Sequence, residues 1–392
     1  MEILHYFKSL PFDIGPRESL GTGDFPESCA FALGFDNNLS LIVQAPNKKV
    51  EQLDRKIYKS GLMLSTPLGR GSLGEPLAKD FISVLKRSLK QNRRKIEECS
   101  FLEIGCGDGY LLSILKKMSA KKCLGIEPGE KTKISPKKYG LEIKRGFFSP
   151  SFISEKFDFI YSYRLLEHIK DPKTFLIKVK RCLKDKSTIF VAVPNSEHKL
   201  KLGDISILVH EHWNYFTPQS LIRLLRSVGL SSINYQLADY GGMLYAWGTI
   251  EHKKKNIFPG NVNRQKMLAY EYVRKLKNNL NRLQRRIDIA ENVGRSIGLY
   301  GVSPNLIGLL HWRRLPRVFD TDKAKHGCRY SAMNNGVENP KNLLKKGVDE
   351  LWITPVDYDR QISNFLKNRL RIDLNKTELV SLKKLYNSHQ GR

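Results

Sequence analysis

The chain has 392 residues, of which 41% are hydrophobic and 10% aromatic. This composition can bury several cores and excludes an intrinsically disordered protein, and the length predicts two or three domains. The sequence lacks a run of about 18 apolar residues, which argues against a membrane span. Its beginning lacks the long apolar segment of a signal peptide. The six cysteines include no Cys-x-x-Cys pair, so we expect neither a zinc ribbon nor a disulfide framework, and a cytoplasmic location.

The charge is strongly basic, with 67 Lys and Arg against 39 Asp and Glu and a formal net charge of +28. A surplus of this size favours anionic partners such as nucleic acid, acidic lipid surfaces or phosphorylated small molecules. The charges are dispersed along the chain rather than concentrated. A lysine-rich solvated surface therefore explains them better than nucleic-acid binding does.

Three consecutive regions follow from the pattern of elements. Residues 1–75 predict a small N-terminal α+β region of short strands and turns, with one strand in 39–46. Residues 76–255 begin with a helix at about 75–98 and then alternate strands and helices, which predicts a parallel, doubly wound α/β sheet that ends in a hairpin. Residues 256–392 begin with a long basic helix at about 262–292. Three strand candidates follow (296–301, 317–322 and 349–355), so this region predicts a smaller α/β domain.

A glycine-rich segment, EIGCGDG at 103–109, lies between an apolar strand and an apolar-periodic helix. Its glycines allow a sharp turn and a close approach to a ligand, and the helix N-terminus offers free N–H groups. The dinucleotide fingerprint is G-x-G-x-x-G, whereas the spacing here is G-x-G-x-G. The acid Glu103 before the glycines suits a ligand with a positive amino group. Glu127 ends the next strand, where a carboxylate can hold two ribose hydroxyls.

Residues 99–250 resemble the class I S-adenosylmethionine-dependent methyltransferases. The resemblance rests on the glycine segment, Glu127, RGFF at 145–148, FDFIYSYRLLEHIKDP at 157–172 and STIFVAVPN at 187–195. It implies a Rossmann-like core and S-adenosylmethionine as the cofactor. The cofactor-binding residues that it implies are Glu103 near the ammonium group, Gly105, Gly107 and Gly109 in the loop along the methionine part, Glu127 at the ribose and Phe147 against the adenine. His168 either contacts the substrate or caps the following helix, and the two alternatives weigh equally.

The segment LVHEHWNYFTP at 208–218 concentrates two histidines and a glutamate before a helix that Thr217 and Pro218 begin. It belongs to the connection after the fifth strand, and such connections line the ligand crevice of a parallel sheet. If the segment is extended, His210 and His212 share one face. Zinc needs further ligands that no Cys or His pair supplies, so we expect no metal. A base that takes a proton from the acceptor is favoured over a loop of hydrogen-bonded bystander histidines.

The segments VHEHWNYFTPQSL (209–221) and YGGMLYAW (240–247) are similar to those of nucleotide-sugar C-methyltransferases. Those enzymes methylate a carbon beside a keto group of a deoxysugar on a nucleoside diphosphate, and they carry an N-terminal zinc module and a C-terminal Rossmann-like domain. The resemblance implies His212 as the base and Glu211 as its support. His210 completes the candidate catalytic segment, and His168, Tyr58 and Tyr240 are the candidate substrate contacts.

The sequence departs from this family at several positions, most of them around the acceptor site. Residues 1–75 contain only Cys29, so the zinc cysteines are absent, and Arg164 stands where family members often carry asparagine. The expected acceptor is a small molecule, a nucleoside diphosphate sugar. Three alternatives stay open: O-methylation of a glycan precursor, methylation of RNA, and a non-catalytic homologue that only binds the cofactor. RNA is disfavoured because neither an RNA-binding module nor an Asn/Asp-Pro-Pro-Tyr motif is evident.

Overall fold

A computed structural model describes residues 1–13, 15, 25–60, 71–129, 139–239, 242–250 and 262–388. The chain divides into two compact units: residues 1–2, 35–197 and 211–266 form the first, and residues 3–34, 198–210 and 267–392 form the second. These units differ from the three consecutive regions expected at 1–75, 76–255 and 256–392. Hydrogen bonds account for part of this grouping. The Asn305 amide donates to the carbonyl oxygens of Ile205 and Leu208, and the Ser331 hydroxyl donates to the carbonyl of Phe12.

The elements alternate along most of the chain. The strands are β1 (Glu2–Pro11), β2 (Ser28–Asp36), β3 (Leu41–Gln44), β4 (Ser100–Ile104), β5 (Lys122–Glu127), β6 (Glu142–Arg145), β7 (Phe157–Tyr163), β8 (Leu183–Pro194), β9 (Asn214–Tyr215), β10 (Ser231–Leu237), β11 (Met243–Thr249), β12 (Ile297–Tyr300), β13 (Arg317–Phe319), β14 (Glu350–Ile353) and β15 (Glu378–Ser381). The helices are α1 (Lys48–Ser60), α2 (Gly71–Gln91), α3 (Tyr110–Lys117), α4 (Pro172–Lys180), α5 (Glu197–Leu202), α6 (Pro218–Ser227), α7 (Val262–Asn292), α8 (Pro304–Leu309), α9 (Asn342–Lys345), α10 (Asp359–Asn364) and α11 (Leu382–Asn387).

A seven-stranded sheet of order β10-β11-β8-β7-β4-β5-β6 forms the centre of the first unit. The strands from β8 to β6 run parallel, and β11 runs antiparallel to both of its neighbours. Leu102 and Ile104 pack into the core on one face of β4, and Phe101 packs into the core on the other. The doubly wound α/β sheet and its closing hairpin are therefore confirmed. The strand order reverses beside β4, where such sheets bind ligands.

The second unit contains a parallel sheet of order β13-β12-β14-β15. Its first three strands coincide with the three strand candidates of the sequence. The fourth, β15, escaped sequence analysis because its four residues, ELVS, lie between polar stretches without a clear alternation. The long helix α7 has the expected bounds.

Helix α2 begins and ends earlier than the range of about 75–98 expected from apolar spacing. It stops at Gln91 because Arg93 adopts a left-handed backbone with φ of 53°, and a separate 3-10 turn covers Ile96–Glu98. Among the described residues, no helix combines the length and the apolar character that crossing a membrane requires.

Candidate active site

The glycine segment forms the turn from β4 into α3. Gly107 has φ of +54°, and a Cβ placed on it would meet no atom within 4 Å, so the loop faces open space at this residue. Gly109 has φ of +73° and is the N-cap of α3, and a Cβ there would come within 2.9 Å of the Leu141 side chain. Gly109 is thus required by packing and conformation, whereas Gly107 leaves room for a ligand.

The Glu127 carboxylate lies at the carboxyl end of β5 and holds the loop. Its Oε2 accepts from the Gly107 N–H at 3.0 Å, and its Oε1 accepts from the Gly129 N–H at 2.8 Å. An ionised carboxylate has about four lone-pair sites. Glu127 therefore retains the capacity to accept from two vicinal hydroxyls, as a ribose would require.

Acidic groups concentrate beneath the glycine turn. Glu103 is 2% exposed and accepts a hydrogen bond from the Tyr161 hydroxyl at 3.0 Å. Burial raises the pKa of Glu103 well above its usual range, and the nearby charges of Asp108 and Glu127 raise it further. Such a site repels anions and suits a positively charged ligand. S-adenosylmethionine fits this chemistry, because it carries a sulfonium, an ammonium group and a ribose.

Tyr58 of α1 lies between Phe147 and the histidines. Its ring centroid lies 6.3 Å from that of Phe147, which is 50% exposed, and 6.4 Å from that of His168. Burial raises the pKa of Tyr58, and the charges of Glu211, Asp54, Glu167 and Glu127 raise it further. Tyr58 is therefore a protonated phenol that can donate a hydrogen bond.

His168 lies in the 3-10 turn Leu166–His168, which follows the carboxyl end of β7. Its Nδ1 lies 2.9 Å from the carbonyl oxygen of Glu211, and burial lowers the pKa of His168 to about 4. A carbonyl oxygen only accepts, so Nδ1 carries the proton and Nε2 keeps its lone pair. The ring of His212 lies 4.9 Å from that of His168 in an edge-to-face arrangement.

Glu167 was not singled out in the sequence, although it stands beside His168. Its side chain is 1% exposed, and its carboxylate accepts no hydrogen bond from another residue in the described part of the chain. Burial raises the pKa of Glu167 to about 8, against the opposing effects of its own backbone N–H and the charge of Arg164. The side-chain N and O atoms of Glu167, His168 and His212 that could bind a metal ion all lie within 4.8 Å of one another. The fold thus brings a carboxylate to the two histidines, which the spacing of the sequence did not reveal.

The segment 208–218 turns at residues 210–211 and is not extended, so the expected common face of His210 and His212 is wrong. His210 is buried in the second unit, where its Nε2 lies 3.2 Å from the Leu10 carbonyl oxygen and its ring packs beside Phe12 and Phe31. His210 is not a member of the cluster of Glu167, His168 and His212. Tyr240 lies outside the described residues.

The parallel sheet, the glycine turn at its switch point and Glu127 on the neighbouring strand define a Rossmann-like methyltransferase core. The family described as "Methyltransferase domain" matches residues 74–234. The protein is an S-adenosylmethionine-dependent methyltransferase, as expected from the sequence, with this domain as its catalytic core.

The proteins to which this core is similar include an O-methyltransferase and a C-methyltransferase. The ubiquinone biosynthesis O-methyltransferase of Pelagibacter ubique is 25% identical over 188 residues, which are 42% of this chain and 75% of that protein. The C-methyltransferase NovU of Streptomyces niveus is 26% identical over 173 residues, 40% of this chain and 41% of that protein. A solved methyltransferase of Archaeoglobus fulgidus, 16% identical with a TM-score of 0.34, covers 43% of this chain and 93% of its own.

Proposed function

We propose that the protein transfers the methyl group of S-adenosylmethionine to a carbon beside a keto group of a sugar on a nucleoside diphosphate, with His212 as the base. One observation carries this proposal. The Glu211–His212 turn reaches His168, and His168 in turn lies beside Tyr58 and the cofactor side of the site. Methyl transfer to a carbon needs a proton acceptor beside that carbon, and His212 supplies one.

The cofactor half is assigned to residues of the carboxyl ends of β4 and β5. Glu127 accepts from the ribose hydroxyls, the open space at Gly107 admits the methionine part, and Glu103 lies near the ammonium group. Phe147, half exposed beside Tyr58, packs on the adenine. The cofactor supplies an electrophilic methyl group on a sulfonium. The acidic side chains around the cofactor stabilise the positive charge of its sulfonium until the methyl group has been transferred.

The acceptor half performs the proton transfer. The proton on the acceptor carbon passes to an imidazole nitrogen of His212, and the electron pair of that C–H bond attacks the methyl carbon. The C–S bond breaks with its electron pair left on sulfur. Tyr58, a protonated phenol, donates to the keto oxygen and so stabilises the enolate that the base creates. Glu211 supports the base by anchoring its turn to His168 through the backbone carbonyl.

Methylation of oxygen is the second candidate, and the similarity to a ubiquinone biosynthesis O-methyltransferase favours it. The same imidazole would then take the proton of an acceptor hydroxyl. The two reactions differ in the atom that attacks, while the cofactor half stays the same.

Titration calorimetry tests the proposal. The protein is titrated first with S-adenosylhomocysteine and then, when saturated, with thymidine diphosphate and guanosine diphosphate. We expect binding of S-adenosylhomocysteine and a second, saturable heat with one of the two nucleotides. Cofactor binding without any nucleotide response would reject the nucleotide-linked acceptor and leave O-methylation of another small molecule. Retention on RNA at low salt under those conditions would favour the RNA alternative.

A further inference from the structure

We propose that Glu167, His168 and His212 form a binding site for a divalent transition-metal ion, with Zn²⁺ the best match to the ligands. The three residues lie in the first unit, where the connections after β7 and β8 leave the carboxyl edge of the central sheet. The site itself is argued from ligand geometry and burial. Only its consequence for catalysis rests on the proposed function.

Ligand type and spacing agree with such an ion. Two imidazoles and one carboxylate are a common set of three protein ligands for Zn²⁺, with the remaining positions left to water or substrate. At metal–ligand distances of about 2.1 Å, neighbouring ligand atoms of a tetrahedral site lie about 3.4 Å apart. Glu167 Oε1 and His168 Nε2 are 3.7 Å apart, and all three ligand atoms lie within 4.8 Å of one another. Small side-chain rotations would therefore bring the three ligand atoms to the spacing of a tetrahedral metal site.

Glu167 provides an independent reason for a cation. A carboxylate that is 1% exposed and accepts no hydrogen bond from another of the described residues is costly to bury as an anion. A bound divalent ion would supply both the missing charge and the missing partner. The carboxylate is directed toward His168 Nε2 rather than toward solvent. A metal ion bound to Glu167 would thus explain why its carboxylate is buried.

His168 is held in the orientation that a ligand histidine requires. Its Nδ1–H donates to the Glu211 carbonyl at 2.9 Å, which leaves the Nε2 lone pair on the side of Glu167. Metal-binding histidines usually donate their second ring nitrogen to a carbonyl or carboxylate in this way, which fixes both tautomer and ring orientation. The Glu211 carbonyl therefore fixes the tautomer and the ring orientation of His168 without a bound ion.

Charged groups of both signs lie near the cluster. The charge of Arg164 acts on both Glu167 and His168 and opposes binding of a cation. Glu127 and Glu211 act on Tyr58, whose ring lies 6.4 Å from that of His168. These acidic groups favour a cation and oppose the effect of Arg164.

A bound ion would control the reaction. A neutral imidazole has one nitrogen lone pair, so His212 cannot ligate a metal and accept a proton at the same time. Under the proposed function, the metal-loaded protein is expected to be the inactive form. Removal of the ion would then release the base.

Co²⁺ is a suitable probe because its visible d–d absorption reports coordination directly. The chelator-treated full chain is titrated with CoCl₂ without an acceptor. We expect one equivalent to bind with d–d bands and without a thiolate-to-cobalt charge-transfer band, and Zn²⁺ to displace it. Glu167→Gln and His168→Asn should each weaken binding by more than about tenfold. The asparagine amide can still donate to the Glu211 carbonyl, so the His168→Asn variant separates ligation from structural support.

The matched controls are Glu142→Gln and His311→Asn, which change exposed residues that do not belong to the cluster and should bind as tightly as the unmodified protein. A thiolate charge-transfer band, the absence of binding, or binding by both cluster variants as tight as by the unmodified protein would overturn the site. Turnover of a keto sugar linked to the nucleotide that calorimetry selects is a separate test. Faster turnover in the metal-loaded protein would keep the site and overturn His212 as the base, so the two failures are distinguishable.

Discussion

The Nδ1 of His168 lies 2.9 Å from the backbone carbonyl oxygen of Glu211, although 43 residues separate them in the sequence. This bond joins the turn after β7 to the segment that carries His212, so the connections that follow two adjacent strands are held together. The position of His212 therefore depends on a residue outside its own segment. Glu167 and Glu211 are both buried.

Replacement of His168 by phenylalanine tests whether the hydrogen bond to the Glu211 carbonyl stabilises this segment. The Glu211 carbonyl would lose its buried donor, and we expect the free energy of unfolding to fall by about 1–2 kcal/mol. His168→Asn should lose clearly less, because its amide can donate to the same oxygen. Urea unfolding of the two variants measures the difference. Equal losses in both would show that this hydrogen bond does not hold the turn.

Replacement of His212 by asparagine should abolish turnover while leaving the cofactor half intact. Removal of a positioned base costs about 100-fold or more in rate. The affinity for S-adenosylhomocysteine should stay within about twofold, because His212 belongs to the acceptor half. The rate is measured with a keto sugar linked to the nucleotide that calorimetry selects, and His311→Asn is the control. Turnover near the unmodified rate would remove His212 from the mechanism.

The glycine turn and the strand that ends at Glu127 could be predicted from the sequence because their signals are local. The glycine spacing and Glu127 lie within 25 residues, and the alternation around them fixes the strands that bring them together. The acceptor half depends on contacts between distant segments. Glu167 meets His212 only through the fold, and a turn at residues 210–211 separates two histidines that strand geometry would have placed on one face. The grouping of residues 3–34 with the C-terminal part likewise depends on distant contacts.

Gly107→Ala should reduce the affinity for the cofactor more than it reduces the free energy of unfolding. The added Cβ would enter the open space in front of the loop, where no protein atom lies within 4 Å. We expect the Kd for S-adenosylhomocysteine to rise about tenfold, which corresponds to about 1.4 kcal/mol. Gly294→Ala is the matched control, since Gly294 also has a positive φ, of +75°, and open space around its Cβ. An equal loss of affinity in both variants would attribute the effect to backbone strain.

Glu127→Gln should loosen the loop and the ribose site together. The amide keeps one acceptor oxygen, so its NH₂ would face one of the two N–H groups that Glu127 now holds, those of Gly107 and Gly129. We expect about a tenfold weaker affinity for S-adenosylhomocysteine. Glu142→Gln, on the exposed neighbouring strand β6, should bind it normally. Unchanged affinity in the Glu127→Gln variant would contradict the ribose assignment.

Asp54 makes stability depend on pH in the direction opposite to that of an ordinary carboxyl. It is 6% exposed, its Oδ2 accepts from the Trp213 indole N–H at 3.1 Å, and its Oδ1 has no hydrogen-bond partner. Burial, with the charge of Glu51, raises its pKa from 3.8 to about 7. Between these values the folded state binds more protons than the unfolded state does. The contribution of Asp54 to the free energy of unfolding is therefore greatest at low pH and is lost as the pH rises through 7.

Asp54→Asn removes this dependence but keeps an oxygen that accepts from Trp213. Relative to the unmodified protein, we expect the variant to gain about 2 kcal/mol in free energy of unfolding between pH 5 and pH 8. Urea unfolding of both proteins at several pH values, with chelator present, measures this difference and cancels the titration of all other groups. Asp349→Asn is the control, because hydrogen bonds from Ser296 lower the pKa of the exposed Asp349 carboxyl, and the difference it makes should not change between pH 5 and 8. A pH-independent difference for Asp54→Asn would mean that Asp54 is ionised in the folded protein throughout this range, held by a charge partner rather than by its burial.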